Sequence, residues 1–297
     1  MGGHLPGLRR ATPLTSGRGR VLPTDGLSEP PEIEVKHLFM PDRRALLALF
    51  DELEPDDWKR PTACAGWDVR DVALHVLGGD LGNIAIRRDG VAYLRPALRE
   101  DLAPFVNRIN AEWITAARRL TPRLIRDLLE FTAEPIADCM RAIDGSKVDA
   151  NVSWASRQPV PRWLDVAREY MARWVHQQHI RDAVGRPGQD TSEFAGPVIA
   201  TSMFSLPIAL EGEPSGTLAI EILGAGGGTW VVTSQSGGWR LFRGNPSTPT
   251  SRLRIAAGDW WRTVTLGLSP TEALSRAAVE GDSAPARAAM GAIAIVA

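Results

Sequence analysis

The run RWLDVAREYMARWVHQQHIRDAV, residues 162–184, contains no glycine or proline. Pro161 precedes it, and Gly185 and Pro187 follow. Proline is tolerated in a first helical turn, glycine supplies the left-handed stop, and a second proline cannot continue the helix. The segment therefore predicts one helix over 161–184. Trp163, Val166, Tyr170, Trp174 and Val175 put apolar groups on several of its sides, so other elements must enclose it. At about 100° per residue, Asp165, Glu169, Ala172, His176 and His179 project within one narrow sector of that helix. Acids and imidazoles enclosed in a bundle need partners, and a bound metal is one solution.

Four more helices are predicted upstream. Leu46, Leu47, Phe50 and Leu53 form an apolar stripe after Pro41 and before Pro55. Asp68 reads as the N-cap of a helix reaching residue 88, with Asp71 at its third position. That helix holds Gly78, Gly79 and Gly82, each costing roughly 1 kcal/mol against alanine. Their reason is either close packing against a neighbour or room for a ligand. Apolar periodicity predicts further helices over 100–120 and 122–143, with Pro135 a candidate kink in the second. Long helices joined mostly by short links imply an antiparallel bundle.

From about residue 193 the pattern changes. Short strands are predicted over 218–223, 229–233, 239–242 and 252–255. Gly224–Gly228 and Ser236–Gly238 link the first three as hairpins. The glycine run lacks the GK[ST] ending of a phosphate-binding loop and no helix follows it. Helices near 259–266, 271–277 and 284–295 complete a small α+β unit. The fold class is therefore α+β overall: a helical bundle over 36–190, then a smaller α+β domain over 195–297. The Gly-, Pro-, Arg- and Ser-rich stretch over 1–35 shows no apolar periodicity and is predicted to be a disordered tail.

A net charge of -1 argues against a general nucleic-acid binder. No apolar run approaches the ~18–20 residues of a membrane span, and the basic start lacks the apolar region of a secretory signal. The protein is expected to be cytoplasmic, with a small-molecule substrate and neither membrane nor nucleic acid as partner. Cys64 and Cys139 are too few for a disulfide framework and fit no CxxC metal spacing. Ten tryptophans against two tyrosines are mostly packing residues, some of which can line a pocket.

Of five histidines, three lie on the two helices with the clearest boundaries. His176 and His179 stand at i and i+3, a spacing that lets two imidazoles converge on one ion. His75 offers a third ligand from a second helix, and Asp71, one turn before it, could orient that imidazole or lie in solvent. Zinc suits three such ligands with one open position, and nickel, cobalt or iron could take a similar set. The competing reading is that all three imidazoles are hydrogen-bonded packing residues. No serine stands in a nucleophile-elbow context.

Two stretches resemble the mycothiol-dependent maleylpyruvate isomerase family within the DinB-like bundle superfamily. PTACAGWDVRDVALHVLGGD, residues 61–80, is similar to its first metal-ligand signature, and REYMARWVHQQHIRDAVGRP, residues 168–187, to its last-helix signature. The resemblance covers residues 38–187. The last third resembles the sterol-carrier-like C-terminal domain of some members. The resemblance implies a divalent metal, with zinc expected, and mycothiol as thiol cosubstrate. It also implies ligands in the form of one histidine, then a glutamate and a histidine one turn apart. The histidines carry over to His75 and His176, while the glutamate falls on Ala172, which cannot bind metal. His179, or Glu169 across the same face, could take its place. The expectation is a metal-binding, mycothiol-dependent isomerase or thiol transferase. The alternative is a non-catalytic small-molecule binding or stress-response protein that kept the bundle and lost the metal.

Overall fold

The computed structural model describes residues 26–295. Five helices build the first half: α1 (Phe39–Asp51), α2 (Val69–Arg87), α3 (Leu102–Ala117), α4 (Pro122–Arg141) and α5 (Arg162–Val184). α2 packs against α3, α4 and α5, and α1 against α4 and α5. α2 starts on a reciprocal capping box: the Asp68 carboxylate accepts from the Asp71 N–H at 2.9 Å, and Asp71 accepts from the Asp68 N–H. α5 ends on Gly185 with φ +67°, the left-handed stop. α4 runs on through Pro135. A short hairpin, β1 (Val148–Ala150) with β2 (Val160–Pro161), delivers the chain into α5.

The second half opens with helices α6 (Ser192–Ser202) and α7 (Leu206–Ala209). It continues through β3 (Thr217–Leu223), β4 (Gly228–Gln235), β5 (Gly238–Arg243) and β6 (Ser251–Ala256). It ends with α8 (Ala257–Val264), α9 (Pro270–Arg276), β7 (Ala278–Gly281) and α10 (Ser283–Met290). The five strands form one sheet in the order β5-β4-β3-β6-β7. β3 and β6 are parallel and the other neighbours antiparallel, with Ile220 between Trp230 and Leu253. The chain is thus α+β, a helical bundle followed by a smaller sheet-and-helix unit. Gly226, in the β3–β4 turn, sits on α6 so closely that a Cβ would lie 2.4 Å from the Gly196 backbone. The glycine run therefore serves packing between α6 and the sheet.

The structure differs from the sequence reading in several elements. α6 and α7 stand where no helix was expected, the β1–β2 hairpin and β7 add strands, and the last helix stops at Met290 rather than 295. Of the tail expected over 1–35, residues 1–25 lie outside the described residues. Residues 26–35 are held: Ser28 bridges to Arg243, and Ile33 and Val35 are buried.

Two apolar clusters form the interior. One joins α1, α2 and α4 through Leu46, Phe50, Leu74 and Ile125. The other runs without a break from Val35 and Tyr170 through Trp174 and Ile199 to Leu253 and Trp260, spanning both halves of the chain. Across that junction the rings of Trp174 and Trp261 meet edge to face at 5.5 Å, and Tyr170 donates to the Phe194 carbonyl at 3.1 Å. Among the described residues no helix is long and apolar enough to cross a membrane.

Candidate metal centre

α5 and α2 face each other across a cavity of about 570 Å³, which α3 walls on one side and residues after α8 cap on another. His75 from α2 and His176 and His179 from α5 all line it. The ring of His176 lies 4.6 Å from that of His75 and 5.7 Å from that of His179. Trp67 lies beside His75 at 5.0 Å and Trp261 beside His179 at 6.0 Å, so five rings form a row, the first four of which line the cavity. Of the tryptophans, Trp67 and Trp154 line the cavity itself.

The sequence reading missed one residue of this group. Cys64, in the turn before α2, places its Sγ 3.2 Å from Nδ1 of His179. One ligand atom from each of Cys64, His176 and His179 lies within 4.8 Å of the other two. His75 touches this trio through His176.

Burial sets the protonation of all four groups. It depresses the His75 and His179 imidazoles to about 4 and His176 well below the ordinary histidine value, and it raises the Cys64 thiol. The three rings are therefore neutral near pH 7, the form in which imidazole binds metal. Nδ1 of His176 and Nε2 of His179 are buried and meet no hydrogen-bonding group among the described residues. A buried polar nitrogen left alone costs about 1–3 kcal/mol, so these rings suit a partner supplied from outside the chain. Neutral imidazoles with a thiol nearby form a borderline-soft donor set, and a divalent ion such as zinc fits it.

Residues 39–181 match the family described as the mycothiol maleylpyruvate isomerase N-terminal domain. The helical half belongs to this family. No curated protein matches the chain. Among solved structures, a mycothiol-dependent maleylpyruvate isomerase is 13% identical, covering 79% of this chain and 87% of that one, with a TM-score of 0.48. A single-residue variant of such an isomerase is 12% identical, covering 80% and 89%, at the same TM-score of 0.48. The sterol carrier protein domain 2 of Helicoverpa armigera is 17% identical, covering 36% of this chain and 94% of its own, with a TM-score of 0.27.

Within this maleylpyruvate isomerase N-terminal domain, the acids near the histidines are committed elsewhere. Glu169 receives Arg168 at 2.6 Å on one oxygen, and Arg173 at 2.7 Å and Asn83 at 3.2 Å on the other. Burial opposes its ionisation, but Arg168, Arg173 and Arg87 outweigh that and hold it far below the usual carboxylate range. Asp80, fully buried, bridges Arg43 at 2.6 Å and Arg173 at 3.0 Å. Removing one partner from such a network strands a buried charge. Asp71 does not orient His75: it is buried and bound by Arg118 at 2.7 and 2.9 Å. The polar group beside His75 is the Asn110 amide of α3. Ala172 lines the cavity where the resemblance places a glutamate.

Proposed function

We propose that this protein is a cytoplasmic, metal-binding, mycothiol-dependent enzyme that isomerises a small molecule or transfers a thiol to it. One observation carries the reading: three neutral imidazoles, two of them with unpartnered buried nitrogens, share a cavity wall in a chain whose helical half belongs to the isomerase domain family. His75, His176 and His179 are the residues that would hold the ion. Bound there, a divalent cation supplies Lewis acidity that favours the thiolate form of a coordinated thiol.

The chain's own groups do the rest. A cavity of about 570 Å³ is of small-molecule size. Trp67, Val106, Met171 and Leu266 give it apolar walls, and the amides of Asn83, Asn107 and Asn110 can orient a polar or acidic substrate. Leu266 comes from the second half and holds a left-handed φ of +65°, a strained backbone of the kind that collects at ligand sites. The His75 imidazole shares the cavity wall with the Asn110 amide and lies beside the Trp67 ring.

The test is calorimetric titration of purified chain with zinc, then with mycothiol. Zinc should bind at about one ion per chain, and His176→Ala should abolish it. His75→Ala should weaken it, and mycothiol should bind only the zinc-loaded protein. Ala172→Glu, which restores a carboxylate one turn before His176, should raise zinc affinity. If neither wild type nor Ala172→Glu takes zinc, the reading fails and a non-catalytic small-molecule binding protein replaces it.

A further inference from the structure

The geometry points to Cys64 as a direct ligand of the cation, its thiolate completing with His176 and His179 a sulfur-and-two-nitrogen centre in place of the carboxylate that Ala172 lacks. The inference rests on the metal-binding reading above and revises its ligand set, putting Cys64 in the third position and leaving His75, which meets the trio through His176, beside the ion; it also gives the class of metal.

Four observations carry it. First, Cys64, His176 and His179 are the His, Cys, Asp or Glu side chains that bring three candidate donor atoms within 4.8 Å of one another among the described residues, and the Sγ–Nδ1 separation is 3.2 Å. Sulfur and nitrogen sharing a tetrahedral zinc lie about 3.5 Å apart, given bonds near 2.3 and 2.1 Å. Second, Nδ1 of His176 is buried without a partner among the described residues, and His179, whose Nδ1 faces Cys64, is only 5% exposed. Third, Cys64 is held rather than dangling. Its N–H meets the Thr62 hydroxyl at 3.2 Å, its carbonyl accepts from the Trp67 N–H at 3.0 Å, and Gly66 takes the turn at φ +77°. The Val69 N–H donates to the Arg60 carbonyl at 3.0 Å, tying the turn to the start of α2. Fourth, the carboxylates nearby are occupied: Glu169 by Arg168, Arg173 and Asn83, and Asp165 by Arg87 and Arg168.

Binding would exchange one bond for another. The Cys64 S–H bond breaks, its proton leaves to solvent, and the sulfur lone pair forms the metal bond, with no change of oxidation state. With three ligands from the chain, a four-coordinate ion would keep one position for a ligand from the cavity. A thiolate with two imidazoles prefers zinc, cobalt(II) or copper(I) to magnesium, calcium or manganese, which favour oxygen donors.

The experiment loads full-length chain with cobalt(II) and with zinc. Cobalt(II) should produce a near-ultraviolet thiolate-to-metal charge-transfer band, lost in Cys64→Ser and kept in Cys139→Ser. Zinc affinity should fall at least about 100-fold in Cys64→Ser, because loss of groups outside the ligand set already costs about 10–100-fold. Excess magnesium should not compete. On wild type, zinc should protect Cys64 from alkylation, followed by peptide mass spectrometry, and chelator should restore it. That arm needs no variant and decides the matter if Cys64→Ser does not fold. One cobalt(II) per chain with no charge-transfer band, or alkylation of Cys64 indifferent to zinc, would overturn the assignment and leave the ion on imidazoles alone, with the metal-binding reading intact. No cobalt or zinc on wild type would overturn both.

Discussion

Burial moves Asp42 and the three site histidines in opposite directions on the stability scale. Burial raises Asp42 from 3.8 to about 7, and Arg43, Arg173, Gln177 and Arg181 only partly offset it. Its native form binds a proton that the unfolded form has released, so its contribution is full below pH 4 and is lost as pH rises through 7. His75 and His179 at about 4, and His176 lower still, behave the other way. Their contribution is present above the unfolded value of 6.5 and is lost as pH falls toward 4. Three imidazoles outweigh one carboxyl, so urea denaturation of metal-free protein should show stability falling from pH 7 to pH 4.5. Asp42→Asn should steepen that fall and add on the order of 1–3 kcal/mol at pH 8. A flat profile would refute the burial assignments. The same residues mark what the sequence could reveal. The i, i+3 pair on α5 was legible because both imidazoles belong to one helix. Cys64 was not, because its partner lies 115 positions away and no spacing rule reaches that far. Asp71 was legible as the third position of a capped helix but not as the partner of Arg118, 47 positions on.

At the level of elements, α2 shows two uses of glycine on one helix. A Cβ on Gly78 would lie 2.6 Å from the Trp113 ring. That ring cannot simply swing away, since its Nε1 donates to the Leu74 carbonyl at 2.7 Å. A Cβ on Gly79 would meet nothing within 4 Å, and Gly79 lines the cavity. Gly78→Ala should therefore cost about 1–3 kcal/mol through overpacking. Gly79→Ala should gain up to about 1 kcal/mol from helix propensity and reduce affinity for whatever fills the cavity. Equal urea midpoints for the two variants would remove the distinction. Close packing thus accounts for Gly78, while Gly79 borders the cavity, and only the fold separates the two. The helices were legible where capping and apolar period agree, as at Asp68 and Gly185. α6 was hidden by Gly196 and Pro197 in its middle, and β7 by its length of four residues, AVEG, too short to show an alternating pattern.

For the whole molecule, the question is whether the two halves are held together by more than their link. Residues 185–188 are exposed, which favours cleavage there. Just beyond, Gln189 is pinned: its N–H donates to Gln178, its carbonyl accepts from the Trp174 indole, and its amide oxygen accepts from Gln177. The apolar cluster continues from α5 into α6, α8 and the sheet, and Arg262 joins Asp182 at 2.7 Å while lying over the Trp261 ring. Thr265 and Leu266 from the second half also complete the cavity wall. Separating the halves would expose Tyr170, Trp174, Trp260 and Trp261 together, each fully or almost fully buried. Buried aromatic side chains cover ~150–250 Å² each, so exposing even about a quarter of that area on the four would cost several kcal/mol at about 25 cal/mol per Å². A brief digestion with a non-specific protease should therefore cut first within 185–191 and give two fragments on a denaturing gel. The nicked protein should still elute from a sizing column as one species of unchanged volume and keep its zinc. Fragments that part on the column would show two independently folded halves whose contact adds little, and the cavity would then have to be complete without its second-half wall.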